Sequence, residues 1–224
     1  MTESRRRLNW RARLYLWLTY RLYNELAWAY DLVAWLVSLG QWSRWRKLAL
    51  KYVVGRRVLE IGFGTGELLL EAARQGIAIY GLELSPSMHR VAAGKMRRSG
   101  LRVPVVRADA GNMPFADASF DTIISTFPAG YILSSGTLAE AARVLRRPDP
   151  AAGGQAGRFV ILGLLVQTDS ILLRALENLV NGGVTVDVLA IFRPLADAAG
   201  FEVRTVTEAV GRFKLPVLIL NKKG

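Results

Sequence analysis

The chain has no cysteine, and His89 is its one histidine. Disulfides and thiolate metal sites are therefore excluded, and a lone imidazole cannot assemble a histidine-rich metal centre, so no metal is expected. Long apolar runs are also scarce. The longest in the N-terminal region, residues 32–39, is far short of the roughly 20 residues that cross a bilayer, which argues against a transmembrane helix. A basic start without a continuous apolar core and a small-residue cleavage site does not read as a signal peptide. Acidic residues are few: 18 against 30 Lys and Arg, a net charge of +12. Hydrophobic residues make up 51% of 224, enough to pack the core of one domain.

The charge is unevenly spread. Through Arg57 there are twelve basic residues and three acidic ones, Glu3, Glu25 and Asp31. All six tryptophans lie within the first 45 positions. Trp28, Trp35 and Trp42 are seven apart, as are Trp10 and Trp17, so each set falls on one stripe of a helix. Amphipathic helices are expected over about 8–23 and 25–38. One reading buries these aromatics against the domain. The other lays them at an anionic membrane surface, with Arg5, Arg6, Arg7, Arg11 and Arg13 on the headgroups. The chain is accordingly divided into a basic Trp-rich arm (1–22), a helical lid (23–50) and a ligand-binding domain (51–224). A cytoplasmic protein, peripheral on the inner membrane face, is expected.

The densest signal is Val58-Leu59-Glu60-Ile61-Gly62-Phe63-Gly64-Thr65-Gly66-Glu67. An apolar strand ends in an acid, three glycines alternate, and a helical run opens at once. Glycines at such a turn let a ligand approach the backbone, and the helix start offers free N–H groups. The spacing is not the dinucleotide G-x-G-x-x-G, whose last position is Glu67 here, and no G-K-[ST] follows. A carboxylate beside the turn opposes a pyrophosphate and suits a cofactor with a cationic centre and an ammonium group, such as S-adenosylmethionine.

Further strands end in polar residues. Ile77 to Leu82 leads to Glu83, then to Ser85-Pro86, an N-cap with proline at the first helical position. Val103 to Val106 leads to Asp109. Phe120 to Ile124 ends in Ser125-Thr126-Phe127-Pro128. Ligands of open α/β sheets bind at these carboxyl ends. The capping-box spacing Thr137-x-x-Glu140 opens a helix through Leu145, Arg158 to Leu164 is a buried fifth strand, and Ser170 to Val180 is an apolar helix. Leu164, Leu165, Ile171, Leu172 and Leu176 are candidate linings of an apolar pocket. Pro194 to Ala199 reads as a short helix, Phe201 to Thr207 and Val217 to Asn221 as the final strand pair, with Pro216 just outside the last strand.

Over about residues 23 to 165 the sequence resembles the class I S-adenosylmethionine-dependent methyltransferases. The resemblance rests on Glu60-x-Gly62-x-Gly64-x-Gly66, Gly81-Leu82-Glu83-Leu84-Ser85-Pro86-Ser87-Met88, Asp109 before Met113-Pro114-Phe115, Ser119 to Ile124, and Ala142-Arg143-Val144-Leu145-Arg146. It implies a Rossmann-like, seven-stranded mixed sheet whose last strand is antiparallel. It also implies that Glu60 and Gly62, Phe63, Gly64 and Gly66 hold the methionine moiety, and that Glu83 holds the ribose beside Leu84. Asp109 and Ala110 would hold the adenine, with Met88 against its ring and Ser125 at the methionine end. Tyr30-Asp31, Ser38-Leu39-Gly40 and Trp45-Arg46 further resemble the ubiquinone/menaquinone C-methyltransferase family, which implies that Tyr30 reaches over the cofactor. The chain departs from that family in lacking a histidine between Gly40 and Arg46, in carrying Phe127-Pro128-Ala129-Gly130-Tyr131, and in the insertion 148–156.

Methyl transfer from a sulfonium is an in-line displacement, so positioning and water exclusion dominate. Tyr30 and Tyr131 are the candidate catalytic residues, with Tyr23, Glu25 and Asp31 as further groups that could take a proton; His89 is expected on the adenine side or in solvent. The acceptor expected is a lipophilic small molecule: a quinone, a phenol or a lipid headgroup. A nucleic-acid methyltransferase using the basic arm is an alternative, weakened by the missing Asn-Pro-Pro-Tyr-type signature. A non-catalytic cofactor-binding assembly protein is another. Nucleic-acid binding would weaken steeply with salt, whereas lipid binding by buried Trp and Leu would persist.

Overall fold

The structure is a computed structural model that describes residues 31, 32, 35, 38, 40–147, 156–164, 167–168, 188–211 and 213–223. The N-terminal arm, most of the lid with Tyr23, Glu25 and Tyr30, the insertion up to residue 155, and the helix expected over 170–180 with its candidate linings lie outside these residues, as does Leu165.

Among the described residues, eight strands form one sheet: β1 Arg57–Ile61, β2 Ala78–Glu83, β3 Val105–Arg107, β4 Thr122–Thr126, β5 Arg158–Leu162, β6 Gln167–Thr168, β7 Phe201–Val210 and β8 Phe213–Lys222. Their order is β3-β2-β1-β4-β5-β8, with β7 on the far edge of β8. The first five run parallel, and β8 is antiparallel to both neighbours. The seven expected strands are therefore present, and the two-residue β6 is an addition.

Alternation along the central strands sorts the core into two layers. Leu59, Ile61, Ile123, Phe159 and Ile161 face α4 (Ser135–Val144) and α5 (Val188–Ala198), meeting Leu138, Ala141, Phe192 and Ala196. Val58, Ile124, Val160 and Leu162 face the other way, onto Leu68, Leu69 and Ala72 of α2 (Glu67–Arg74) and Ala92 and Met96 of α3 (Pro86–Ser99). Both faces are thus covered, as a parallel sheet requires. Strand order reverses between β1 and β4, which opens a crevice at their carboxyl ends. Before β1, α1 (Trp42–Lys47) and a 3₁₀ turn (Leu48–Tyr52) run in against the domain. Tyr52 donates to Glu208 of β7 at 2.7 Å, and burial together with that carboxylate pushes its phenol up to about 12.

Three local expectations need correction. Pro216 lies inside β8, opposite Thr207 in an unbroken register. Lys222 N–H donates to Gly157 O on the β5 side, so alternation turns the nitrogen of Pro216 to that side too. There the β5 ladder ends at Leu162↔Val217 and the β6 ladder resumes at Gln167↔Lys214. The missing N–H faces the break between them. Second, α4 starts at Ser135, and Thr137 is buried within it; Glu140 accepts from Met113 N–H and pairs with Arg143 instead of closing a capping box. Third, Pro194 sits inside α5, which already runs from Val188 and is held by buried Phe192 and Ala196.

Gly163 ends β5 with φ +79°, and a Cβ there would stand 2.3 Å from the Phe127 ring. Gly163→Ala should lower stability by about 2–4 kcal/mol, combining overpacking with a left-handed backbone. Urea unfolding monitored by circular dichroism measures this; an unchanged midpoint would contradict the packing described.

Candidate cofactor site

The turn after β1 is built on three left-handed glycines, Gly62 (φ +69°), Gly64 (φ +56°) and Gly66 (φ +77°). Gly62 is required on two counts, because a Cβ would also lie 2.4 Å from the Tyr131 hydroxyl. The turn delivers the chain directly into α2, whose first turn carries Glu67.

Glu83, at the end of β2, holds the turn in place. It is 8% exposed, and its two oxygens accept Gly64 N–H at 3.0 Å and Ser85 N–H at 2.8 Å. Each oxygen keeps a further lone pair for a hydroxyl. Ser85 in turn caps α3 by accepting Met88 N–H at 3.3 Å, with Pro86 at the first helical position. Asp109 accepts Gly111 N–H at 2.7 Å, which fixes the loop after β3.

Gly62, Glu83, Leu84, Asp109, Ala110 and Tyr131 meet around one cavity of about 380 Å³ at the carboxyl ends of β1 to β4. Tyr30 lies outside the described residues, and the remaining expected site residues do not line the cavity. Phe63 and Met88 are fully buried in the core; Met88 is not among the cavity's lining residues. Gly64 and Gly66 shape the turn without lining the space. Ser125 Oγ and Tyr131 Oη lie 2.8 Å apart, and both reach the Ile61 carbonyl at 3.1 Å. His89, half-buried, donates from Nε2 to Val106 O and sets its ring against the Phe63 edge; it packs β3 against the turn and does not line the cavity.

Glu60 carries a carboxyl that is unfavourable to bury. It is fully buried, and neither carboxylate oxygen has a hydrogen-bond partner. Burial pushes its carboxyl up to about 8; the charge of Arg46 works against this and that of Glu83 adds to it. An orphaned carboxyl this close to a glycine turn calls for a partner. An ammonium group supplies the right charge, so the donor set fits S-adenosylmethionine.

Asp31 is committed elsewhere. Its carboxylate accepts from Thr65 Oγ1 at 2.7 Å and from Lys95 Nζ at 2.5 Å, and Lys95 also pairs with Glu67. It clasps the lid segment to the turn and to α3, and is not a free proton acceptor. Two residues of the site were not singled out in the sequence. Phe127 lines the cavity, has φ +50° and stacks on Trp42 with ring centroids 4.1 Å apart. Arg46 is buried beside Gly64.

Residues 58–148 match the family model described as "Methyltransferase domain". That segment, which carries the glycine turn, Glu83 and Asp109, is similar to a methyltransferase domain. The chain is 35% identical over 130 residues to demethylmenaquinone methyltransferase of Tropheryma whipplei (strain Twist), covering 56% of this chain and 54% of that protein. It is 34% identical over 152 residues to the ubiquinone/menaquinone biosynthesis C-methyltransferase UbiE of Geobacter sulfurreducens, covering 63% and 56%. The chain thus spans about half the length of the curated relatives it matches. In fold it is similar to geranyl diphosphate C-methyltransferase from Streptomyces coelicolor A3(2), solved with S-adenosyl-L-homocysteine. The TM-score is 0.60 at 12% identity, over 80% of this chain and 79% of that one. The matched segment is accordingly similar in sequence to the demethylmenaquinone methyltransferase and to UbiE.

Glu60 makes ligand-free stability depend on pH. Its folded pKa of about 8 is above the ordinary 4.5, so the native state holds a proton that the unfolded chain releases. Its contribution is whole below about 4.5 and is lost as pH rises towards about 8. Glu60→Gln should flatten the fall of the thermal midpoint across that window; a slope identical to wild type would show that Glu60 does not titrate there.

Proposed function

We propose that this chain is an S-adenosylmethionine-dependent methyltransferase acting by in-line methyl transfer on a lipophilic, quinone-like small molecule. The observation that carries the cofactor reading is the orphaned, buried Glu60 beside a left-handed glycine turn pinned by Glu83. The relatives named for demethylmenaquinone and for ubiquinone/menaquinone biosynthesis support the acceptor class.

In this reading the free lone pairs of Glu83 take the ribose hydroxyls, while Asp109 and Ala110 take the adenine beside Leu84. Glu60 and the turn from Gly62 to Gly66 take the methionine ammonium. The bound sulfonium supplies an electrophilic methyl. The protein's task is then alignment, with reacting atoms about 3–3.5 Å apart and water kept out. Tyr131 presents a hydroxyl to the crevice from a position fixed by Ser125 and the Ile61 carbonyl, and it orients the acceptor. Phe127, backed by the Trp42 ring stacked on it, forms an apolar wall on the acceptor side.

Work at a membrane surface is the finer part of the proposal. It rests on the basic, Trp-rich first 45 residues; no helix among the described residues is long and apolar enough to cross a membrane. Deleting residues 1–22 should reduce flotation with anionic liposomes, and equal flotation would remove the membrane from the reading.

Activity is tested by labelled methyl transfer into a demethylated quinol, with bulk RNA as the competing acceptor. Label in the quinol fraction is expected; label confined to RNA would contradict the acceptor class. Glu83→Ala should weaken S-adenosylhomocysteine binding at least about tenfold, the scale of a charge-assisted hydrogen bond. Calorimetry on the folded variant measures this, and wild-type affinity would refute the ribose assignment.

A further inference from the structure

Among the described residues, β7 is a free edge of the sheet. It runs from Phe201 to Val210 and pairs with β8 alone. Lys223 N–H donates to Gly200 O, and the register continues from Phe201↔Lys222 to Val210↔Phe213 without a break. Alternation therefore turns the backbone groups of the even-numbered residues towards β8. Those of Val203, Thr205, Thr207 and Ala209 point outward. Thr205, Thr207 and Ala209 are exposed, as an open edge requires.

Free edges are commonly blunted by a proline, a bulge or a very short strand. None of these protects β7, whose ten residues are rich in β-branched side chains. Its protection is charge, and the charge is arranged to match itself. When a second β7 is laid antiparallel about a two-fold axis at Val206, Thr205 meets the partner's Thr207 and Val203 meets the partner's Ala209. All of these are outward-facing residues, so each pair can exchange both N–H···O bonds. Arg204 then falls opposite the partner's Glu208 on either side of the axis, in the closer, non-hydrogen-bonded kind of pair.

Glu208 is already oriented for this. One oxygen accepts from Tyr52 at 2.7 Å and the other from Lys51 at 3.0 Å, and each keeps a further lone pair. Arg204 is exposed and has no ion pair among the described residues. The neighbouring registers that still join outward-facing residues lose the match. One sets Glu202 against the partner's Glu208, and the other sets Glu208 against the partner's Val206. Like charges directly opposite are destabilising, so the charges that repel other pairings favour this one.

We propose that the free edge of β7 pairs with the β7 edge of a second copy of this chain, in the register that sets Arg204 against the partner's Glu208. The interface is isologous, as a two-fold dimer demands. The cavity lies at the ends of β1 to β4, so both copies keep it open. A contact made by one strand from each copy is small for an interface, and a reversible, concentration-dependent dimer is expected.

Sedimentation velocity of the full chain over a concentration series tests this. The wild type should show a dimer whose share rises with concentration. Thr205→Pro removes an outward N–H and no bond to β8, so it should match the wild type by circular dichroism and remain monomeric. Arg204→Glu places two like-charged pairs across the axis and should weaken the dimer at least about tenfold. Glu208→Arg does the same with arginines. Mixed, these two charge variants restore opposite charges at both positions and should form a heterodimer, though neither associates alone. Should Glu208→Arg not fold, Thr205→Pro and Arg204→Glu decide. A wild type that is monomeric at every concentration overturns the proposal. So does a dimer that Thr205→Pro and Arg204→Glu leave intact, since that dimer forms through another surface.

Discussion

The structure turns on the hydrogen bonds from Gly64 N–H and Ser85 N–H to the carboxylate of Glu83. They fasten two βα turns from neighbouring strands to one side chain, at the edge of the crevice where strand order reverses. Gly62 N–H also donates to Leu82 O at 2.7 Å, closing the β1–β2 ladder, and Glu83 extends that tie to Gly64 beyond the ladder's end. With them, Gly62 is set close enough to Tyr131 that a methyl group would not fit between. The ligand-facing surface is therefore fixed by backbone that is already satisfied, which is the sense in which a binding site is pre-formed.

Charge at the site follows a different logic from charge on the rest of the molecule. Arg143 is satisfied by Glu140 and Asp117, and Asp121 by two backbone N–H groups and Arg146. Those groups hold loops together. Glu60 and Arg46 are instead buried and left incomplete. Unfavourable features of this kind persist where a ligand completes them, and here both lie at the same turn. Two described residues other than glycine have a left-handed backbone: Ala118 (φ +54°), in the loop before β4, and Phe127 (φ +50°), which lines the cavity.

Much of this was legible in the sequence because it is local. Alternate glycines after an apolar strand, an acid closing the next strand, and Ser85-Pro86 before a helix each depend on a few adjacent residues. The structure brings Gly62, Glu83, Leu84, Asp109, Ala110 and Tyr131 to one cavity, as the strand ends suggested. Features set by distant contacts were not legible. Pro216 is tolerated in β8 because the neighbouring ladder breaks opposite it. Glu140 gives up a capping role because Met113 and Arg143 arrive from elsewhere in the fold. Phe127 is held left-handed between Trp42 and Gly163, neither of them near it in the chain, and nothing in Phe-Pro-Ala-Gly announces that backbone. Arg46 read as part of a Trp-Arg pair, and its burial without a partner emerges only when α1 meets the turn.

The central claim is that this turn holds a sulfonium nucleoside's amino-acid end and not a phosphate. Competitive calorimetry on the wild-type chain, with S-adenosylhomocysteine set against NAD and ATP, tests it most directly. The account predicts saturable binding of S-adenosylhomocysteine that neither nucleotide displaces. Tight uptake of NAD or ATP, with indifference to S-adenosylhomocysteine, would contradict it.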